Sequence, residues 1–169
     1  DEVLDLYAEA IITAMDKGLP DIIVHPDRFM IARESFGEKE KQASRLICRK
    51  AVETGIPLEI NMGEPLDKLK ESNMSAEELR NKIAYPKREF WEIVLEESKK
   101  AIEEGKEPIK VVYGKDAHSP DRMSETKDYE LVDKIIGIDI LRDLYFVKSD
   151  LKTYNQELVQ TFSSKDNIL

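Results

Sequence analysis

Two histidines and one cysteine occur in the 169 residues of this chain, so the side chains able to grip a transition metal or act near neutral pH are few. His25 stands in Val24-His25-Pro26-Asp27, and His118 in Gly114-Lys115-Asp116-Ala117-His118-Ser119. In Asp116-x-His118 the two-residue spacing, at an extended strand end, turns both side chains to one side. There a carboxylate oxygen and an imidazole nitrogen reach one cation. Singly, each residue has a blander account. His118 is then a loop histidine bonded to a backbone carbonyl, Asp116 caps a turn before Ser119-Pro120, and His25 is a histidine satisfied at the end of a buried strand. Their recurrence at equivalent ends of repeated units favours a shared site.

Glu59 and Asn61 lie on one face of Leu58-Glu59-Ile60-Asn61 in a strand, so both point inward to a barrel axis or both outward to helices. Inward, Glu59 is an acceptor behind the site and Asn61 a polar contact near its mouth. The alternative pairs Glu59 with a core lysine or arginine and lets Asn61 close a turn. Arg28 and Arg33, just past His25-Pro26, could clamp a phosphate through bidentate hydrogen bonds, although most surface arginines do nothing of the sort. Cys48 falls on a helix away from any strand end, and Trp91 on the apolar stripe of another, which assigns both to the core.

The elements that must position these residues follow from a repeated grammar. Ala14-Met15-Asp16-Lys17-Gly18-Leu19-Pro20, Ala51-Val52-Glu53-Thr54-Gly55-Ile56-Pro57 and Ala101-Ile102-Glu103-Glu104-Gly105-Lys106-Glu107-Pro108 each read as a helix stop followed by a strand start. Gly supplies the left-handed residue that ends a helix, and Pro keeps it from resuming. Strands are predicted at Ile22-Ile23-Val24, Leu58-Glu59-Ile60 and Ile109 to Tyr113. The helices before them carry apolar stripes: Val3, Tyr7, Ala10, Ile11 and Ala14; Ala43, Leu46, Ile47, Ala51 and Val52; Trp91, Val94, Leu95, Ser98, Ala101 and Ile102. Helix then strand, three times over, predicts an α/β fold with parallel strands. Residues 62–86 form a long insertion after the second strand, in which Gly63, Pro65 and Pro86 bracket a short helix expected from near Ser75, and are a candidate active-site loop. A fourth helix is expected from about Ser124, with Leu131, Val132, Ile135 and Ile136 as its apolar face, and a last strand over Leu144 to Val147. No pattern emerges from Lys148 onward.

With 26 Lys+Arg against 35 Asp+Glu the chain carries a net charge of −9, and with no basic stripe it is a poor match for a phosphate backbone, which argues against nucleic acid as a partner. Hydrophobic residues at 41% are enough for one core, and no linker divides residues 1–169. No apolar run approaches the roughly 18 residues of a membrane span, and the N-terminus lacks the order of a signal peptide. A single cysteine allows no intrachain disulfide, consistent with a reducing cytoplasm.

The three segments Asp21-Ile22-Ile23-Val24-His25-Pro26-Asp27, Leu58-Glu59-Ile60-Asn61 and Tyr113-Gly114-Lys115-Asp116-Ala117-His118-Ser119 together resemble the C-terminal half of the polymerase-and-histidinol-phosphatase (PHP) family. The histidinol-phosphatase branch is the nearest in pattern. Tyr85-Pro86 before the third helix adds to the likeness, which runs over residues 3–146. The resemblance implies a portion of a distorted seven-stranded, TIM-like α/β barrel whose strand ends hold two or three divalent ions, Zn, Mn or Fe. It further implies His25, Asp116 and His118 as metal ligands, with Glu59, Asn61, Arg28 and Lys115 around them. Where the family commonly has Gly-Ser-Asp this chain has Gly114-Lys115-Asp116, which places a cation beside the metals.

The implied activity is metal-dependent hydrolysis of a small phosphate ester, L-histidinol phosphate being the substrate of that branch. The family opens with a His-x-His motif, and neither histidine here belongs to one. Residues 1–169 are therefore expected to be one partial PHP domain, little active alone, completed by an N-terminal half or supported by a second copy. Two alternatives are a non-catalytic binding or scaffold module of the same fold, and a PHP phosphoesterase for another phosphate ester.

Overall fold

Each Gly–Pro unit ends a helix as its sequence dictates. At Gly55 the backbone turns left-handed (φ 70°) and its N–H closes on the Ala51 carbonyl, stopping the helix three residues before a strand begins; Gly18 and Gly105 repeat the device. The computed structural model describes residues 2–71, 74–117 and 128–147. His118, the expected helix start near Ser124 and everything from Lys148 onward lie outside the described residues.

Among the described residues the order is α1 (Glu2–Asp16), a 3-10 turn (Arg28–Ala32), α2 (Glu38–Thr54), β1 (Leu58–Asn61), α3 (Gly63–Glu71), α4 (Ala76–Lys82), α5 (Arg88–Glu103), β2 (Lys110–Gly114), α6 (Asp128–Ile136), α7 (Ile138–Leu141) and β3 (Tyr145–Phe146). The fold is mixed α/β. β1, β2 and β3 form a parallel sheet in that spatial order, with Leu58 opposite Val111, Asn61 opposite Gly114 and Val111 opposite Phe146.

Ile23 extends the sheet beyond β1. Its N–H donates to the Pro57 carbonyl and its carbonyl accepts from the Glu59 N–H, both at 2.9 Å, in a parallel bridge to Leu58. The strand expected over Ile22-Ile23-Val24 is thus a single bridge. His25 at φ 48° turns the chain out of the extended conformation, and Pro26 has no N–H with which to continue a ladder.

Strand alternation gives the sheet two unlike faces. Ile23, Leu58, Ile60, Val111, Tyr113 and Phe146 are buried in the core with side chains of α2 and α5 such as Ile47, Cys48, Trp91 and Val94. Glu59, Asn61, Val112 and Gly114 belong to the opposite face. Helix α1 packs on α2, and α2 on α5, so the core is closed by a row of helices.

Two stripes are rotated from expectation. In α1 the buried residues are Leu4, Ala8 and Met15 while Val3 is 73% exposed; the apolar arc opposite Glu2, Asp5, Glu9 and Asp16 is wider than the buried stripe, so periodicity alone does not choose which part of it is covered. In α5 Trp91, Val94, Ser98 and Ala101 are buried as expected, but Phe90, Ile93 and Glu97 join them and Ile102 is exposed. The insertion holds α4, capped by Ser75 as expected, and also α3. Pro65 had marked a break there. It sits instead in the first turn of α3, where a helix needs no N–H. The expected last strand shortens to Tyr145–Phe146.

Candidate functional site

His25 and Asp116 are the two non-glycine residues with positive φ among the described residues, at 48° and 50°. Such backbone is costly for residues with a Cβ and persists only where the surroundings hold it. The two lie past the carboxyl ends of the two sheet segments that flank β1, and they face each other: His25 Nε2 is 3.9 Å from Asp116 Oδ2. The extended i, i+2 geometry expected for Asp116-x-His118 is therefore not adopted at Asp116, because the chain turns left-handed after β2 ends at Gly114.

His25 is held through its backbone. Its N–H donates to Glu59 Oε2 at 3.3 Å, and its carbonyl accepts from the Tyr7 hydroxyl at 2.8 Å and the Arg28 N–H at 3.0 Å. Its ring meets Tyr85 edge-on, with centroids 5.2 Å apart. Nδ1 is buried with no hydrogen-bond partner.

Asn61 and Glu59 occupy the sheet face opposite the core. Asn61 Nδ2 donates to Glu59 Oε2 at 3.1 Å, and its Oδ1 accepts from the Gly63 N–H at 2.9 Å. Asn61 thus closes a turn, the blander of its two expectations. Glu59 pairs with no lysine or arginine among the described residues; it serves as an acceptor for the His25 backbone. Two glycines leave room for this arrangement. A Cβ at Gly63 would lie 2.7 Å from that of Asp116, and one at Gly114 would lie 1.8 Å from Glu59 Oε1.

The insertion is pinned over the same end of the sheet. Glu64 accepts from the Ala84 and Tyr85 N–H groups, at 3.2 Å to its Oε2, and Asp27 Oδ2 accepts from the Lys87 N–H at 2.7 Å. Asp27 is 1% exposed, and burial pushes its carboxyl up to about 7, with the neighbouring Glu64 adding to the rise and the Lys87 N–H opposing it. Burial also raises the Tyr7 and Tyr85 hydroxyls above the usual range, Asp27 adding to the first and Glu64 to the second. Asp27 was assigned no role from the sequence, although it stands in the His25-Pro26-Asp27 run. Tyr7 and Glu64 carried no signal, since each acts on backbone 18 to 21 residues away.

Arg33 does not join a phosphate clamp with Arg28: its Nε is 2.6 Å from Glu40 Oε1, the carboxylate that also accepts the Gly37 N–H at the start of α2. Arg28 is exposed, and its charge acts on the Tyr7 and Tyr85 hydroxyls beside the pair. Lys115 is half-buried between Gly114 and Asp116. Cys48 and Trp91 are in the core, as expected.

The His25–Asp116 separation is too long for a hydrogen bond and lies below the upper limit of roughly 4.2 Å for two donors on one ion, taking bonds of about 2.1 Å. Among the described residues no group of three or more His, Cys, Asp or Glu is placed to hold a metal ion. A cleft of 650 Å³ flanks the pinned insertion, lined by Glu64, Ala84 and Lys87 together with Lys68 and Lys82. Another of 680 Å³ lies between α2 and α5, and neither cleft is lined by a member of the pair. No helix among the described residues is long and apolar enough to cross a membrane. Compared with known proteins, the chain matches no family model, no curated protein and no solved structure.

Proposed function

We propose that this chain is part of a PHP-like, metal-dependent phosphoesterase of the cytoplasm, with a small phosphate ester such as histidinol phosphate as its substrate. The observation that carries the reading is the His25–Asp116 pair, two left-handed residues of metal-ligating type 3.9 Å apart past the parallel segments on either side of β1. The side-by-side chain order of Ile23, β1, β2 and β3 supports a portion of an α/β barrel, since a doubly wound sheet reverses its order.

His25 Nε2 and Asp116 Oδ2 would hold a divalent ion together with His118, and such an ion supplies a hydroxide and neutralises phosphate oxygens. The chain's own residues do the rest. Glu59, Tyr7 and Arg28 fix the His25 backbone, Tyr85 shields one side of its ring, and the Arg28 and Lys115 cations meet the phosphate charge.

The test is hydrolysis of histidinol phosphate and of p-nitrophenyl phosphate by the longest natural protein containing these residues, with metal content measured alongside. Asp116→Ala and His118→Ala should lose metal and most turnover together. Lys115→Ser should keep its metal and change KM. An Asp116→Ala protein that keeps both metal and rate sinks the reading. A non-catalytic module is the second reading, favoured by there being only two facing donors among the described residues; a natural protein that hydrolyses neither ester with metal bound supports it.

A further inference from the structure

β1 lies between the two segments that carry the candidate pair, and one of its side chains reaches both. Glu59 Oε2 accepts from the His25 N–H at 3.3 Å on one side and from Asn61 Nδ2 at 3.1 Å. Its Oε1 lies over Gly114, where a Cβ would approach to 1.8 Å, two residues before Asp116. Asn61 then passes the constraint on: it holds the Gly63 N–H, and Gly63 abuts Asp116. One carboxylate is therefore tied to the backbone of one member of the pair and wedged against the strand that delivers the other.

We infer that Glu59 is a positioning residue, which keeps His25 in its left-handed conformation and sets its distance from Asp116. The inference rests on the metal-site reading only for what the pair binds; the clamp itself is a property of the metal-free chain. A carboxylate acting in this way needs its acceptor oxygen and the bare Gly114 surface, and does not need its charge. A carboxylate acting as a ligand needs the charge. This difference separates the two roles.

The experiment uses the full 169-residue chain with Glu59→Ala, Glu59→Gln and Gly114→Ala. The last adds a methyl that evicts Glu59 without altering it. Hydrogen exchange at the His25 amide, without metal, should accelerate by about tenfold or more in Glu59→Ala and Gly114→Ala and stay within about twofold in Glu59→Gln. Zn2+ affinity should follow the same order, falling by about 10- to 100-fold in the first two and little in the third. An unchanged His25 amide in Glu59→Ala overturns the inference. So does faster exchange spread evenly over the core, or a Glu59→Gln chain that loses Zn2+ as severely as Glu59→Ala. If the unmodified chain takes up no Zn2+, the metal reading fails while the exchange rates still decide the role of Glu59.

Discussion

Two residues of ordinary side chain hold φ near +50° at one end of this sheet, and the bonds around them show what holds them there. His25 is bonded at its N–H and twice at its carbonyl, and Asp116 is packed against a glycine. Asp27, two residues on, ties the His25 turn to Lys87 from a fully buried position. Its folded carboxyl keeps a proton up to about pH 7, whereas the unfolded one releases it near 3.8, so between these values the folded state binds more protons. Stability of the metal-free chain then falls as pH rises through that window and is lowest above it. Asp27→Asn keeps an acceptor for the Lys87 N–H and removes the charge. Relative to the unmodified chain, urea unfolding should show the variant gaining on the order of 2–4 kcal/mol between about pH 4 and pH 8. Parallel pH profiles for the two would contradict this. His25 and Asp116 were legible because strand ends are where loops converge and only two histidines exist. Tyr7 and Glu64 were not, because a hydrogen bond to distant backbone leaves no periodic mark on a sequence.

The elements owe their places to short local signals and to a few long-range contacts that those signals do not encode. The Gly–Pro units were readable since left-handed stops and missing N–H groups act within a few residues. The first helix of the insertion shows the reverse: α3 was hidden by a proline that is as compatible with a first turn as with a break. Between α2 and α5, Glu97 is 5% exposed and meets Arg49 at 3.1 Å and Lys100 at 3.0 Å, with Arg45 at 3.9 Å. Nothing in the stripe of α5 marked Glu97 as buried, because two of these three cations, Arg45 and Arg49, come from another helix. Glu97→Gln leaves those cations facing a neutral amide. Since the cations are partly solvated, the loss should be roughly 1–2 kcal/mol, read from denaturant midpoints at unchanged slope. No change in midpoint would show that the pairs hold nothing together.

At the scale of the whole molecule, the helices cover one face of the sheet. Past the last sheet partner, Ile22 and Val24 are 40% and 56% exposed, and α1 turns Val3 and Leu6 to solvent. The covered face is well packed, with Ile47, Cys48, Trp91 and Val94 fully buried. Burial, with the Glu97 carboxylate adding to it, raises the Cys48 thiol above its usual range. Iodoacetamide should therefore label the folded chain only as fast as it unfolds, with full labelling in denaturant; rapid labelling in native buffer would mean that the core opens locally. Parallel α/β order was legible from the alternation of helix stops and strand starts, whereas the length of each strand depends on its neighbours, and Ile23 has only one among the described residues.

Everything functional rests on His25 and Asp116 sharing one ion. Zn2+ and Mn2+ titrations of the unmodified chain, His25→Gln, Asp116→Asn and the double variant, followed by calorimetry, test that directly. If the pair is a shared site, each single variant loses about tenfold or more in affinity and the double variant loses little beyond either single, because half of a site binds as poorly as none. Single variants that bind as tightly as the unmodified chain, or losses that simply add, would contradict it.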